Sequence, residues 1–357
     1  MIKNKKVSPN KYVCQIGPGE DVPGGMLTVI DRYMSSRHME EIKQKHIITA
    51  STKYKLSTFL KGLFTYLMMC VCHKVCIAHI HMSERGSCYR TMILICVCRI
   101  FDIPVIVHSH GSELETFYHT LSRSKQKLFK FTMDKADRVI VLTPGWVTFW
   151  KDIVRGSKIK VLPNFVIVKQ KRNKSYFADG RLNILFLGYV GNRKGTYDLI
   201  KAVKILKDHK IDLYLRICGN GELDKCKRLV SKLKLSKNVF FYGWIDGDKK
   251  EDIFEISDVL VLPSYNESFG IVLLEAFAHQ IPVICGDKGF SKEIVTEGKD
   301  GYIIESGNIK QIASYLEQLY KNEDIAVMGK EGYKKVCKRY SEKMIIEELK
   351  KIYEELR

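Results

Sequence analysis

Two glutamates, Glu267 and Glu275, lie eight positions apart, directly after the apolar stretch 258–262. The stretch is typical of a strand, and the residues from Gly270 onward have the pattern of a helix. We therefore expect Glu267 in the loop after the strand and Glu275 about two turns along, on one side of the helix. Carboxylates placed this way can each accept hydroxyl hydrogen bonds, one from a sugar and one from a ribose. Backbone N–H groups of the same loop can face a phosphate.

A pair of cations, Arg193 and Lys194, precedes a second helical pattern, which begins at Thr196. Cations beside a helix N-terminus suit a diphosphate, because charge pairing adds to the attraction of the helix dipole. The alternative is a surface turn whose two charges are solvated. Either way, the pair follows an apolar run that ends at Leu187 and that predicts a strand.

Glycines cluster in a third loop, the sequence GPGEDVPGG, which ends at Gly24 and Gly25. Paired glycines let a backbone come close to the phosphate of a ligand. The spacing differs from the G-x-G-x-x-G pattern of dinucleotide-binding loops. A turn that binds no ligand is an equally good interpretation of this loop taken alone.

The elements that must position these loops form two series of alternating strand and helix patterns. Such alternation indicates parallel sheets with helices on both faces, in which ligands bind beyond the carboxyl ends of the strands. Twelve strands are predicted, at residues 12–16, 46–49, 75–80, 104–108, 138–142, 159–162, 182–187, 213–217, 239–242, 258–262, 282–285 and 302–304.

The length of 357 residues exceeds what one hydrophobic core usually supports. The stretch 169–180 is polar, rich in lysine and without periodicity, so it is interpreted as a linker. We therefore predict an α/β protein with two doubly wound domains, at residues 1–168 and 181–340, and a cleft along their interface.

The net charge of +19 is concentrated in the first half of the chain, where residues 1–180 hold 29 Lys and Arg against 13 Asp and Glu. This excess favours an anionic partner, such as acidic lipid headgroups, a pyrophosphate-linked acceptor or nucleic acid. A solvated surface is the alternative. Nothing resembles a nucleic-acid recognition motif, so nucleic acid is not expected as a partner.

The compartment is predicted to be the cytoplasm, because the basic first residues lead into no apolar stretch of secretory length. The eleven cysteines are then expected as free thiols. No run of about 18 apolar residues occurs. The nearest approach, residues 59–80, is interpreted as a core helix that leads into a strand, with a helix on the membrane surface as the alternative.

Taken in their order along the chain, these motifs resemble glycosyltransferase family 4, whose GT-B fold has two Rossmann-like domains facing a central cleft. The resemblance covers nearly the whole chain and implies that the last helix, residues 341–357, packs back on the first domain. Further matching motifs are His81-Met-Ser-Glu-Arg-Gly-Ser87, His108-Ser-His110-Gly111, Leu162-Pro-Asn164, Gly219-Asn-Gly221-Glu222, Gly243-Trp244, and Glu293 before Asp300-Gly301.

The resemblance also implies residue roles. Glu275 binds the ribose of the donor, Glu267 contacts the transferred sugar, and Lys194 holds a phosphate. His110 lies beside the donor sugar, near the reacting centre, so His110, Glu267 and Lys194 are the expected catalytic residues. The remaining donor-binding residues are expected to be Gly24, Gly25, Arg193, Gly219, Trp244, Ser268, Phe269, Gly270 and Ile271.

The implied activity is that of a retaining hexosyltransferase that needs neither metal nor cofactor. Its donor would be a UDP- or GDP-sugar and its acceptor lipid-linked or polysaccharide, in the synthesis of capsule, lipopolysaccharide O-antigen or exopolysaccharide. Contact with the anionic inner face of the plasma membrane is expected through the basic first domain. One departure stands out, because Tyr189 occupies a position where the family usually has arginine. A nucleotide-sugar-binding protein with little or no catalysis is therefore the alternative.

Some patterns are interpreted as structural. Asp246-Gly-Asp248 is similar to the D-x-D motif of metal-dependent transferases, but capping of a following helix explains it. The residues Cys70, Cys72, His73 and Cys76 have zinc-binding chemistry, but a helix would scatter them, with only Cys72 and Cys76 sharing a face. The aromatic residues Phe59, Phe64, Tyr66 and Phe101 are expected in the core.

Overall fold

A computed structural model describes residues 11–22, 24–168, 174–321 and 324–356. The chain divides into two compact units, which we describe separately. Unit 1 comprises residues 1–164 and 342–357, and unit 2 comprises residues 165–341. Residues 165–168, which the sequence analysis places in the first domain, therefore lie in unit 2. Residues 169–173 of the expected linker lie outside the described part of the chain.

Unit 1 is built on a parallel sheet of six strands in the order β2-β1-β3-β4-β5-β6. The central strands β1, β3 and β4 are mostly apolar and almost wholly buried, as expected for a sheet covered by helices on both faces. The strands are β1 (Tyr12–Pro18), β2 (Gln44–Ala50), β3 (Val75–Met82), β4 (Val105–Ser109), β5 (Arg138–Val141) and β6 (Ile159–Val161).

Seven α-helices of the described residues belong to unit 1, and the last of them comes from the far end of the sequence. They are α1 (Gly25–Ser35), α2 (Lys55–Val71), α3 (Gly86–Ile100), α4 (Leu114–Thr120), α5 (Arg123–Met133), α6 (Trp146–Lys151) and α13 (Glu342–Glu354). Helix α13 buries Tyr353 completely, and the Tyr353 hydroxyl accepts a hydrogen bond of 3.1 Å from Nε2 of Gln15 on β1. This helix is therefore part of the core of unit 1.

Unit 2 repeats the architecture with a parallel sheet in the order β12-β11-β10-β7-β8-β9. Its strands are β7 (Leu182–Leu187), β8 (Leu213–Cys218), β9 (Val239–Gly243), β10 (Val259–Leu262), β11 (Val283–Gly286) and β12 (Gly301–Ile304). Its helices are α7 (Thr196–Asp208), α8 (Leu223–Lys232), α9 (Gly247–Glu255), α10 (Ile271–Ala278), α11 (Ile309–Lys321) and α12 (Ile325–Arg339). All twelve predicted strands are present in the two sheets.

Helix α2 packs on the edge strand β2 through Gly62, where an added Cβ would lie 2.1 Å from the carbonyl oxygen of Ile48. Its opposite side carries exposed apolar side chains, so the prediction that Phe64 lies in the core is wrong, whereas Tyr66 is fully buried as expected. The exposed set, which we call the α2 stripe, is Leu56, Leu60, Phe64, Met68 and Val71.

Two further expectations need correction. Helix α2 ends at Val71 and Cys76 lies on β3, so Cys72 and Cys76 share no helix face. Asp246 stands at the N-cap position of α9 but makes no capping hydrogen bond through its side chain. All eleven cysteines are free, as predicted. Within the described ranges, no helix combines the length and the apolar character needed to cross a membrane.

Candidate functional site

The loop between β10 and α10 ends at Gly270, whose φ of 82° lies in the left-handed region that favours glycine. Helix α10 has no acidic residue in its first turn, and no side chain caps it. The first N–H groups of a helix lack partners within the helix, and its dipole attracts negative charge. Ser268, Phe269 and Ile271 flank this glycine, so these four expected donor-binding residues lie at a helix N-terminus suited to an anion.

Glu267, in the same loop, forms an ion pair with Lys194. Both side chains are nearly buried, with 12% of Lys194 and 10% of Glu267 exposed. Removing two charges from water is costly, and their mutual attraction offsets that cost only when the geometry is well fixed. The pair therefore holds one ammonium group and one carboxylate at defined positions beside the N-terminus of α10.

The backbone explains why Lys194 reaches Glu267. Lys194 ends a short 3-10 turn after β7, and Gly195 follows with a φ of 69°. An added Cβ at Gly195 would lie 2.1 Å from the carbonyl oxygen of Pro263, so only glycine lets the two loops approach this closely. The backbone N–H of Tyr265 also donates to the carbonyl of Arg193 at 2.9 Å. The side chain of Arg193 is itself exposed.

Glu275 lies about one turn into α10, since the helix begins only at Ile271, rather than two turns along as its distance from Glu267 suggests. Its carboxylate is nearly buried and pairs with Lys250 of α9 at 2.8 Å. Sequence reasoning missed Lys250, because no local pattern relates positions on different helices. Both glutamates singled out from the sequence thus have lysine partners.

Sequence reasoning also drew no conclusion from Gly289, in the loop after β11. An added Cβ there would lie 2.4 Å from the carbonyl oxygen of Glu267, and the φ of 80° again favours glycine. The neighbouring N–H of Phe290 donates to that same carbonyl at 2.9 Å. The loop after β11 therefore supports the backbone of Glu267 from behind.

The loops after β7 and β8 meet at Gly219, where an added Cβ would lie 1.8 Å from the carbonyl oxygen of Gly188. Trp244, just after β9, is 48% exposed, so its ring offers a flat surface on which a base could stack. Tyr189 is 52% exposed, and added Cβ atoms at Gly191 and Gly221 would lie 3.1 Å from its ring. Its ring therefore lies against these two glycines and supplies no cation.

In unit 1, Gly24 and Gly25 border a cavity of about 220 Å³ at the carboxyl ends of the first three strands. Added Cβ atoms at the two glycines would meet no described atom within 4 Å, so their backbone faces open space. Arg90 also lines the cavity, and burial lowers its pKa. Sequence reasoning missed Arg90, which brings a cation to the glycine loop together with Ser83 and Ser87.

His81 lines the same cavity and belongs to a cluster of four histidines with His79, His108 and His110. His81 Nδ1 lies 2.9 Å from His110 Nε2, and His79 Nε2 lies 3.1 Å from His108 Nδ1. Burial lowers the pKa of His79 and of His110 to about 3, and that of the other two well below the usual value. The cluster is therefore uncharged at neutral pH.

Ring nitrogens of His79, His81 and His108 lie within 4.8 Å of one another, close enough to consider a metal ion. Both nitrogens of His79 are hydrogen-bonded, to Tyr353 at 2.7 Å and to His108. Both nitrogens of His81 are also hydrogen-bonded. A metal would have to displace these bonds, so the geometry favours a hydrogen-bonded cluster. The expectation that the protein needs no metal stays a prediction.

Comparison with known proteins finds relatives of this chain. Residues 168–344, nearly all of unit 2, match the family model described as glycosyl transferases group 1. EpsD of Bacillus subtilis is 30% identical over 51% of this chain and 48% of its own length. The capsular polysaccharide biosynthesis glycosyltransferase CapM of Staphylococcus aureus is 30% identical over 47% and 45%. The chain thus spans about half the length of these two relatives.

Among solved structures, HepE of Anabaena in complex with UDP superimposes with a TM-score of 0.76 at 15% identity, covering 96% of this chain and 99% of HepE. A likeness at this identity concerns the fold alone. It confirms the predicted GT-B fold class, with two Rossmann-like units built on parallel sheets.

Proposed function

Because residues 168–344 match the family model of glycosyl transferases group 1, we propose that the protein belongs to this family and transfers a sugar from a nucleotide-diphosphate sugar to an acceptor. The observation that carries the proposal is the Lys194–Glu267 pair beside the uncapped N-terminus of α10. Departure of a nucleoside diphosphate develops negative charge, which a fixed ammonium and helix N–H groups stabilise. The relatives named above support a sugar-transfer role.

The donor half of the reaction uses unit 2. Lys194 and the backbone of residues 268–271 hold the diphosphate, Glu267 accepts a hydroxyl hydrogen bond from the sugar, and Glu275 accepts one from the ribose. Each lysine partner keeps its carboxylate oriented until the ligand arrives. The base is UDP- or GDP-type and stacks near Trp244. Transfer retains the anomeric configuration and needs no metal.

The acceptor is lipid-linked or a growing polysaccharide, and capsule, O-antigen or exopolysaccharide assembly is the proposed pathway. The name of CapM supports a role in capsule synthesis. The cavity beside Gly25 supports an acceptor that carries phosphate, because Arg90 and two serines line it. His110 is the proposed catalytic residue of unit 1.

One observation favours the alternative of a nucleotide-sugar-binding protein with weak catalysis. Tyr189 replaces the arginine usual in the family, and its neutral ring lies against Gly191 and Gly221. Fewer cations on the diphosphate would stabilise the leaving group less. The alternative predicts that a donor binds normally but releases its sugar slowly.

The test is thermal unfolding of the purified protein with a panel of UDP-, GDP-, ADP- and dTDP-sugars, because a ligand that binds only the folded state raises the apparent stability. We expect one donor to raise the Tm and Glu275→Ala to abolish that rise. Asp224→Ala, on α8 of the same unit, is the matched control that should keep it. Release of nucleoside diphosphate from that donor then separates catalysis from binding, and no rise with any donor would contradict the proposal.

We also propose that the α2 stripe contacts an anionic membrane. Lysines at Lys53, Lys55, Lys61 and Lys74 are exposed on or beside the same helix. Apolar side chains flanked by lysines are typical of helices that lie in the headgroup region of acidic lipids. The stripe itself includes Leu56, 71% exposed, and Phe64, 65% exposed.

Sedimentation with vesicles tests this contact. We expect binding to phosphatidylglycerol-containing vesicles, weak binding to neutral vesicles, and loss of binding in the double variant Leu60→Asp/Phe64→Asp. Val327→Asp is the control, since Val327 is equally exposed but lies on α12 of unit 2. If the double variant instead converts a dimer into a monomer and leaves vesicle binding intact, the stripe binds a second copy of the chain and the proposal fails.

A further inference from the structure

A chain of side-chain hydrogen bonds leads from a backbone carbonyl in unit 1 to the ring of His110. Nε2 of Gln44 donates to the carbonyl oxygen of Tyr33 at 2.8 Å, and Nε2 of Gln15 donates to Oε1 of Gln44 at 2.9 Å. Oε1 of Gln15 lies 2.9 Å from Nε2 of His81, whose Nδ1 lies 2.9 Å from Nε2 of His110. Gln15 and His81 are almost completely buried, so water does not compete with these bonds.

The hydrogen bonds in this series have a fixed donor-to-acceptor direction. The carbonyl of Tyr33 can only accept, so the amide nitrogen of Gln44 must face it and the amide oxygen of Gln44 must face Gln15. That oxygen also only accepts, so Gln15 turns its amide nitrogen toward Gln44. The amide oxygen of Gln15 is thereby directed at His81.

The direction determines where the protons of both imidazoles lie. Burial lowers the pKa of His81 well below its usual value and that of His110 to about 3, so both rings are neutral at neutral pH. Nε2 of His81 must carry its proton, because the oxygen of Gln15 cannot donate. Nδ1 of His81 then accepts a hydrogen bond, and Nε2–H of His110 supplies it. The lone pair of the His110 ring is left on Nδ1.

We propose that Gln15 is a positioning residue that holds His110 in the Nε2–H tautomer, so that its Nδ1 serves only as a hydrogen-bond acceptor. An acceptor nitrogen recognises a hydroxyl and does not donate to a phosphate. His110 therefore binds a hydroxyl of the reacting sugar, and the diphosphate depends on other groups. This last step rests on the proposed function, whereas the tautomer does not.

Tyr353 provides a matched control. Its hydroxyl accepts the second N–H of Gln15 at 3.1 Å and lies 2.7 Å from Nδ1 of His79, on the other branch of the histidine cluster. Tyr353→Phe removes one buried hydrogen-bonding group from the same neighbourhood. It leaves Gln44 in place to orient the Gln15 amide, so the tautomer of His110 should not change.

The experiment measures the tautomer of His110 by NMR in protein labelled with carbon-13 histidine, because the Cδ2 chemical shift differs between the Nε2–H and Nδ1–H forms. The His110 resonance is assigned from its absence in His110→Asn. We expect the wild type and Tyr353→Phe to show the Nε2–H form and Gln15→Met to populate the Nδ1–H form. With the donor found above, Gln15→Met should lower kcat about tenfold, the effect of one hydrogen bond, and change KM less.

If Gln15→Met does not fold, as judged by circular dichroism, Gln44→Met carries the test, because Gln44 is only half-buried. It frees the Gln15 amide to turn over and should populate the Nδ1–H form to a smaller extent. An unchanged His110 tautomer in these variants overturns the proposal, whatever happens to kcat. So does an equal change in Tyr353→Phe. A shifted tautomer without transfer from any donor would uphold the positioning role and contradict the proposed function.

Discussion

The two units carry polar groups at the same end of similar sheets, but the buried polar groups differ in charge between the units. Unit 2 places buried charges in pairs, Lys194 with Glu267 and Lys250 with Glu275. Unit 1 places neutral histidines in a hydrogen-bonded cluster. An ammonium group held in place suits a charged diphosphate, whereas a neutral ring nitrogen suits a hydroxyl. In the proposed reaction, Lys194 of unit 2 therefore stabilises negative charge, and His110 of unit 1 accepts a hydrogen bond from a hydroxyl.

The largest effect is expected at Lys194. Lys194→Met should lower kcat by about 10²- to 10³-fold, the usual loss when one preorganised group that stabilises developing negative charge is removed. Initial rates of sugar transfer with the donor identified above measure it. Lys204→Met is the control, because Lys204 pairs with Asp208 on the exposed face of α7 and should keep wild-type kcat. If kcat falls equally in the two variants, Lys194 has no special role compared with a lysine on the surface.

The next effect concerns stability. Lys194→Met and Glu267→Gln should each lower the free energy of unfolding, by about 3 kcal/mol for Lys194→Met, because that change leaves a buried carboxylate without its partner. The double variant should lose less than the sum of the two single changes, since no unpaired charge remains. Urea unfolding of the four proteins measures the coupling. Strict additivity would show that the two groups do not interact in solution.

Acid should destabilise unit 1 more than unit 2. The pKa of His79 is lowered from 6.5 to about 3, so the unfolded state binds more protons, and the stability is present above pH 6.5 and lost as the pH falls toward 3. At pH 5 the loss is about 2 kcal/mol from this one residue. His79 and the other three clustered histidines all belong to unit 1.

Tryptophan fluorescence can follow unit 1 alone, since Trp146 and Trp150 are buried there and the third tryptophan is replaced in Trp244→Phe. In that background, the urea concentration at the midpoint of unfolding of unit 1 should be lower at pH 5 than at pH 7. His79→Asn should flatten the dependence by about 2 kcal/mol. A midpoint that does not respond to pH would mean that the histidines are charged or solvated.

The smallest expected effect is a gain in affinity for the donor. Tyr189→Arg should restore a cation near the diphosphate and tighten binding of the donor by about fivefold, equivalent to an added exposed charge pair of about 1 kcal/mol. Tyr189→Leu is the control for removal of the ring alone. Calorimetric titration of both variants measures the affinity. If Tyr189→Arg binds more weakly than wild type, the ring itself is a contact for the donor.

The sheets could be predicted from the sequence because their signal is local. Each strand is a short apolar run bounded by turn residues, and each run alone is sufficient to place it. The same holds for Gly270 and for the start of α7 at Thr196. Glu267 was also recognisable, since it follows a strand directly.

The contacts that complete the site could not be predicted, because they join distant positions. Nothing local relates Lys250 to Glu275, or Gln15 to His81 across 66 residues. The prediction for Phe64 on helix α2 failed for another reason. The helix is apolar on two sides, and periodicity alone does not determine which side packs on the sheet. The exposed Phe64 shows that here the packed side is the one with Gly62.

Helix α13 has a consequence for the order in which the chain can fold. It completes the core of unit 1, and Tyr353 bonds Gln15 across 338 positions. A ribosome therefore has to synthesise all of unit 2 before unit 1 receives its last buried helix. Synthesis of unit 1 begins first, but its folding can be completed only after unit 2 has been synthesised. In the nascent chain, the apolar surface of unit 1 that α13 covers therefore stays exposed until translation has passed residue 353.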